Sequence, residues 1–156
     1  MSATQITIAH EDPDSPAARN CLRAYFALLA ERIPGVNPGH VPDPDPEADS
    51  FRPPHGAFLI ARASGEVLGC VSLKRHDPTT GEIKRLWIAP AARGHGLGRR
   101  LLTVIEDEAR ALGFTGLVLD TNAALTEAIA LYSTSGWLET EPYTGFPATH
   151  WFAKPL

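Results

Sequence analysis

Residues 83 to 102 read IKRLWIAPAARGHGLGRRLL: an apolar run ended by Pro90, glycines at 94, 96 and 98, then a helical pattern. Glycine tolerates positive φ and lets a ligand approach the backbone closely. A helix that starts just after such a loop offers N–H groups without intrahelical partners and the positive end of its dipole. That combination seats a phosphate or pyrophosphate, and Arg93, Arg99 and Arg100 add charge around it. The loop is not G-x-x-x-x-G-K-[ST], which argues against a nucleoside-triphosphate site. Its spacing is G-x-G-x-G, with Leu101 where a dinucleotide fingerprint has its third glycine, and it does not come after a first strand, so that reading weakens too.

The charge distribution agrees with an anionic ligand. The 156 residues carry 14 Lys+Arg against 18 Asp+Glu, a net charge of -4, yet Lys74 to Arg100 holds seven basic and two acidic residues. Glu11 to Asp49 is the reverse, with eight acidic and three basic. An acidic chain that gathers half its cations in one short segment has a reason to bind an anion there, although a solvated basic face would look the same. The overall acidity argues against nucleic acid. Six scattered histidines without H-x-x-x-H spacing give no metal site. No G-x-S-x-G elbow marks a serine hydrolase. Cys21 and Cys70 lie in apolar stretches and read as small core residues. With 44% apolar and 21% charged residues the composition is globular, and residues 1–156 are expected to form a single domain. No apolar run is long enough to span a bilayer. The start lacks the features of a signal peptide, so the expected compartment is the cytoplasm, with no membrane partner.

The elements around the loop are read from periodicity. Gln5–His10 alternates as a first strand, and Asp14-Ser15-Pro16 opens a helix carrying Cys21, Leu22, Tyr25, Phe26, Leu28 and Leu29. Pro34–Pro54 holds seven of the fourteen prolines and the acidic run DPDPEAD, and reads as a loop or lid too polar to pack. Ala57–Ala63 and Val67–Lys74 form a hairpin about Ser64-Gly65-Glu66, and Glu82–Ile88 is the next strand. The loop helix shows Leu101, Leu102, Ile105, Ala109 and Leu112 on one face. Leu117–Asp120 is a strand, Leu125–Ser135 a helix, and Trp137–Glu139 and His150–Lys154 a closing strand pair. This order is mixed α/β.

Arg93-Gly94-His95-Gly96-Leu97-Gly98 resembles the R/Q-x-x-G-x-G/A pyrophosphate signature of the GNAT acetyltransferases. The strand Glu82–Ile88, Ala89-Pro90 and the downstream AIALYSTSGW (128–137) are similar to that family as well, and the resemblance runs from about Val67 to Leu138. It implies a GNAT fold: a mixed, mostly antiparallel sheet of six to seven strands, about four flanking helices, and a cofactor cleft after the fourth strand. It implies acetyl-CoA as co-substrate, with Gly94, His95, Gly96, Leu97, Gly98 and Arg99 clasping the pyrophosphate beside Arg93. Leu86, Trp87 and Ile88 would lie along the pantetheine arm, their main chain pairing with its amides as an added strand would. Tyr132 matches the family tyrosine beside the thioester sulfur, where a phenol can protonate the departing thiolate.

Glu82 stands where many members offer a general base, which an ammonium acceptor with a pKa of about 10 requires. His76, Asp120 and His150 are weaker candidates for that role. The family often places an asparagine seven residues before the tyrosine; here Leu125 is there, and Asn122, three residues earlier, is the candidate for a site role. The implied activity is N-acetylation of a primary amine, a small amine or amino acid before a protein lysine or N-terminus, by direct attack in a ternary complex. A non-catalytic acyl-CoA sensor is the rival reading. Pro34–Pro54 and Thr140–Thr149 would flank the acceptor, and a homodimer is common in the family.

Overall fold

The computed structural model describes residues 5–37, 39 and 44–156, and in it seven strands form one sheet. They are β1 (Ile6–His10), β2 (Ala57–Ala63), β3 (Glu66–Arg75), β4 (Thr80–Ile88), β5 (Gly116–Thr121), β6 (Leu138–Glu139) and β7 (His150–Pro155). Three α-helices flank them: α1 (Pro16–Arg32), α2 (Leu97–Ala111) and α3 (Thr126–Ser133). Two 3-10 turns, Ala48–Phe51 and Pro90–Ala92, complete the elements, so three α-helices stand against about four expected. The sheet order is β1-β2-β3-β4-β5-β7-β6, antiparallel throughout except for β4 beside β5.

Strand β2, second from one edge of the sheet, reads AFLIARA with its first five residues buried, a run without alternation because both of its faces are covered. Leu59 and Ala61 face one way, with Val71 and Leu73 of β3, and meet Leu97, Leu101, Leu102, Ile105 and Ala109 of α2. Phe58 and Ile60 face the other way, with Cys70, and meet Ala18, Cys21 and Leu22 of α1 and Phe51. Each buried leucine or phenylalanine contributes about 1.5–3 kcal/mol. Ser15 caps α1, its hydroxyl accepting from the Ala18 amide at 3.1 Å, and Pro16 supplies the fixed φ of the first turn. Cys21 and Cys70 are both free and buried in this second core.

Contrary to the expectation of a loop too polar to pack, the Pro34–Pro54 stretch does pack over its described part: Asp45, Ala48 and Phe51 are buried. The reason is Arg85 of β4. Its guanidinium lies 3.3 Å from Asp45 Oδ2 and 3.0 Å from Glu47 Oε2, and sits 4.7 Å over the Phe51 ring. The acidic run is counter-charge for a buried cation, and the aromatic at its end is core. Pro38, His40 and residues 41–43 of the same stretch lie outside the described residues.

Candidate functional site

Two irregularities of β4 create the site. The first is its partnership with β5, which lasts only from Thr80–Gly116 to Glu82–Val118. Beyond Glu82, β5 continues against β7 alone. Among the described residues the β5-side edge of Ile83–Ile88 therefore has no strand against it, and the two strands part as a V. An edge with free N–H and C=O groups is a template for an extended ligand.

The second irregularity is a bulge. The β3–β4 register changes by one residue between Ser72–Lys84 and Cys70–Trp87, and Arg85 takes φ +58°. Carbonyls displaced from the ladder are met by side chains: the Ser72 hydroxyl donates to Lys84 O at 2.8 Å, and the Cys70 thiol to Arg85 O at 3.3 Å. A bulge bends its strand and re-aims the residues beyond it. In β4 those residues are Leu86, Trp87 and Ile88.

A cavity of about 310 Å³ runs from this edge to the start of α2. Leu86, Trp87, Ile88, Arg93, Gly94, Gly96, Leu97, Gly98 and Arg99 all line it, as do Tyr25 and Arg32 of α1 and Leu125 and Glu127 of the α3 end. His95 does not; it is exposed outside the wall. Gly94 and Gly96 have φ of +82° and +78°, and a Cβ on either would meet no atom within 4 Å, so what it would enter is open space. Gly96 caps α2, whose first intrahelical bond runs from Arg100 N to Gly96 O at 3.1 Å. The amides of Leu97, Gly98 and Arg99 precede that bond and are the helix's free first-turn donors. Arg93 is held in place by its own strand, Nε donating to Ile88 O at 3.1 Å. Arg99 reaches back to the end of α3, donating to Ser135 Oγ and Thr134 Oγ1, each at 2.9 Å. The cradle of backbone donors, arginines and a free strand edge fits a pyrophosphate with an amide-bearing arm.

A second cavity, of about 380 Å³, adjoins the first; Tyr25, Leu86, Leu125 and Ala128 line both. Tyr132 lines the second, buried with its ring 5.9 Å from Trp137 and 5.8 Å from Phe152. Burial holds its hydroxyl well above the usual phenol range, with the Tyr25 and Asp120 charges adding. A phenol kept protonated next to the junction of two cavities can donate to a leaving group there. Burial likewise pushes the Tyr25 hydroxyl up to about 12, with Asp120 adding.

The base candidates separate. Glu82 is 4% exposed and lines neither cavity; its Oε2 accepts from the Tyr143 hydroxyl at 2.8 Å and lies 3.6 Å from Lys84 Nζ. Asp120 does line the second cavity, its Oδ2 accepting from Thr144 Oγ1 at 2.7 Å. His76 is exposed and packs its ring 5.0 Å from Tyr143, and His150 Nδ1 lies 2.9 Å from Thr149 Oγ1; neither lines either of these two cavities. Asn122 is occupied with structure: Nδ2 donates to Pro147 O at 2.6 Å and Oδ1 accepts from Ala124 N at 2.8 Å. It pins the β5–α3 turn to the loop before β7 and lines neither cavity.

Sequence reasoning passed over Tyr25, whose helical spacing made it look like core, and over Tyr143 and Thr144, in a stretch without periodicity. The Arg85 bulge gave no sequence signal. No group of three or more metal-ligating side chains occurs among the described residues. No helix among them is long and apolar enough to cross a membrane.

Comparison with known proteins agrees with this geometry. Residues 22–137 match the acetyltransferase (GNAT) family. An IAA acetyltransferase of Azospirillum brasilense is 35% identical over 97% of this chain and 98% of its own. YjgM, an uncharacterized N-acetyltransferase of Escherichia coli, is 32% identical over 80% of this chain and 76% of its own. Among solved structures, one from Klebsiella pneumoniae described as an acyl-CoA N-acyltransferase superposes with a TM-score of 0.78 at 27% identity, covering 97% of both chains. A GNAT family acetyltransferase from Elizabethkingia anophelis, solved with acetyl-CoA bound, has the same fold, with a TM-score of 0.67 at 24% identity over 97% of this chain and 98% of that one.

Proposed function

This chain belongs to the acetyltransferase (GNAT) family, and we propose that it moves the acetyl group of acetyl-CoA to a primary amine on a small molecule by direct attack in a ternary complex. The observation that carries this reading is the meeting of two cavities at Tyr25, Leu86, Leu125 and Ala128, one against the free β4 edge and the α2 start, the other against Tyr132 and Asp120. Acetyl-CoA supplies an electrophilic thioester carbonyl. The first-turn amides of α2, with Arg93, hold the pyrophosphate. The main chain of Leu86–Ile88 pairs with the pantetheine amides and fixes how far the thioester reaches. Tyr132 donates its proton to the sulfur as it departs.

Holding two substrates end to end converts an encounter in solution into attack within one complex, and most of the rate comes from that. The second cavity, about 380 Å³, suits a small amine better than a protein tail, which would need an open groove. The Azospirillum relative's name, IAA acetyltransferase, points to a small-molecule acceptor for that protein and supports the same class here. Free-thiol release from acetyl-CoA, measured against small amines, amino acids and lysine peptides, tests the proposal. Release with small amines supports it; release with lysine peptides alone overturns the small-molecule part.

A further inference from the structure

The walls of the second cavity are specific in kind. Part of the wall is apolar and aromatic: Tyr25, Phe26 and Leu29 of α1, with Phe146, a residue 73% exposed. The charged groups in the wall are Glu47, Lys84, Arg85 and Asp120. Three of them already have ionic partners, Glu47 with Arg85 and Lys74, and Lys84 with Glu82. Asp120 instead accepts from a neutral hydroxyl, and that hydroxyl is itself oriented: Trp151 Nε1 donates to Thr144 Oγ1 at 2.8 Å, and Thr144 donates on to Asp120 at 2.7 Å. A carboxylate fixed by a relay of two donors, with no ion-pair partner among the described residues, is prepared for a cation. The Asp120 charge is felt by all three surrounding phenols, Tyr25, Tyr132 and Tyr143, and raises each of them.

Resting on the function proposed for this site, we propose that Asp120, not Glu82, receives the acceptor's ammonium and takes its proton, and that the acceptor is a primary amine carried on an apolar, ring-bearing body. The ammonium gives one proton to Asp120 as its nitrogen lone pair forms the C–N bond at the thioester carbonyl. The C–S bond breaks, Tyr132 gives its proton to the sulfur, and the second amine proton restores the Tyr132 phenol. Asp120 then releases its proton to water, so that ammonium and thioester become amide, free thiol and one proton. Thr144 and Trp151 are positioning residues. The titratable and charged groups that share the cavity wall with Asp120 are Tyr25 from α1, Lys84 and Arg85 from β4, Tyr132 from α3, and Glu47, and Tyr143 from the loop also feels its charge.

The test uses the full chain and Asp120→Asn, which keeps the size of the side chain and can still accept from Thr144. Thiol release is measured with tryptamine and with spermidine, and binding to the CoA-loaded protein with tryptamine and with the neutral alcohol tryptophol. The wild type is expected to prefer tryptamine to spermidine in turnover and to tryptophol in binding. Asp120→Asn is expected to lose about 10²-fold or more in kcat/KM, to bind tryptamine and tryptophol alike, and to bind CoA as the wild type does. Its deficit should shrink about tenfold per pH unit as the amine becomes neutral in solution. Thr144→Val should move the same pH profile to a smaller extent. Retained kcat/KM with a retained tryptamine preference overturns the assignment of Asp120, and a spermidine preference overturns the apolar body. A wild type that releases thiol with no amine defeats the transferase reading instead, and the tryptamine-to-tryptophol ratio then judges Asp120 by itself.

Discussion

Gly96→Val separates the protein's need for glycine from the ligand's. Gly96 has φ +78°, and no atom lies within 4 Å of an added Cβ, so the first added carbon stands in open space. The substitution's cost to the fold is backbone strain, about 1–2 kcal/mol for an L-residue in the left-handed region. For a chain of this length that is a fall in Tm of about 2–8 °C. The valine side chain would stand at the cavity wall beside the first-turn amides of α2, which hold the pyrophosphate in the proposed function. A hydrogen bond to a charged group is worth about 1.5–3 kcal/mol, and displacing two of them costs about 3–6 kcal/mol. That corresponds to a Kd for CoA weaker by about 10² to 10⁴. Calorimetry with CoA, and with pantetheine as the control lacking the pyrophosphate, reads the effect, and a thermal melt reads the strain. The expected result is CoA affinity lost, pantetheine affinity kept and the melt only modestly lower. CoA affinity within threefold of wild type, in a protein that melts as expected, would refute the placing of the pyrophosphate.

Tyr132→Phe keeps the ring that packs on Trp137 and Phe152, so its melt and CoA affinity should hold while kcat drops about 10²-fold or more; an unchanged kcat removes the phenol as proton donor. Arg32 pairs with Glu127 in the wall of the first cavity. Arg32→Ala should change stability by less than about 1 kcal/mol yet weaken CoA binding by leaving Glu127 facing an anion, and adding Glu127→Ala should restore it. Calorimetry on the two variants decides, and equal losses in both would contradict the reasoning. Tyr25, Tyr132 and Tyr143 are all raised by burial, Tyr143 also by its bond to Glu82. Unfolded phenols ionise near pH 10. Above that pH the unfolded chain gives up protons that the folded chain retains, so stability falls as pH rises. Tyr25 alone should contribute roughly 1 kcal/mol per unit between pH 10 and about 12. Denaturant midpoints that stay flat across that range would contradict it.

Much of this was legible because the informative parts are local. The glycine loop, the proline-opened α1 and the apolar stripe of α2 are short-range patterns with short-range causes, and all stand where the sequence puts them. The sheet strands were also readable, within one or two residues at each end. What escaped depends on contacts far apart in the chain. Glu82 reads from the sequence as a general base, and Tyr143, 61 residues later, donates to its carboxylate. Asn122 looked free for a ligand, but Pro147 holds it. The run around Asp45 and Glu47 looked solvated until Arg85, 40 and 38 residues away, gave it a cation to neutralise. Asp120 is oriented by Thr144, 24 residues later in the chain, which Trp151 in turn holds. Periodicity reports which face a residue takes, not which distant side chain meets it there.

The proposed function places acetyl transfer at the junction of the two cavities. The most direct test is free-thiol release from acetyl-CoA with a small primary amine, run beside Tyr132→Phe. Release is expected from the wild type, with a loss of about 10²-fold or more in the variant and acetyl-CoA still bound by both. Tight acetyl-CoA binding with no thiol released for any amine, or equal release from wild type and variant, would contradict it.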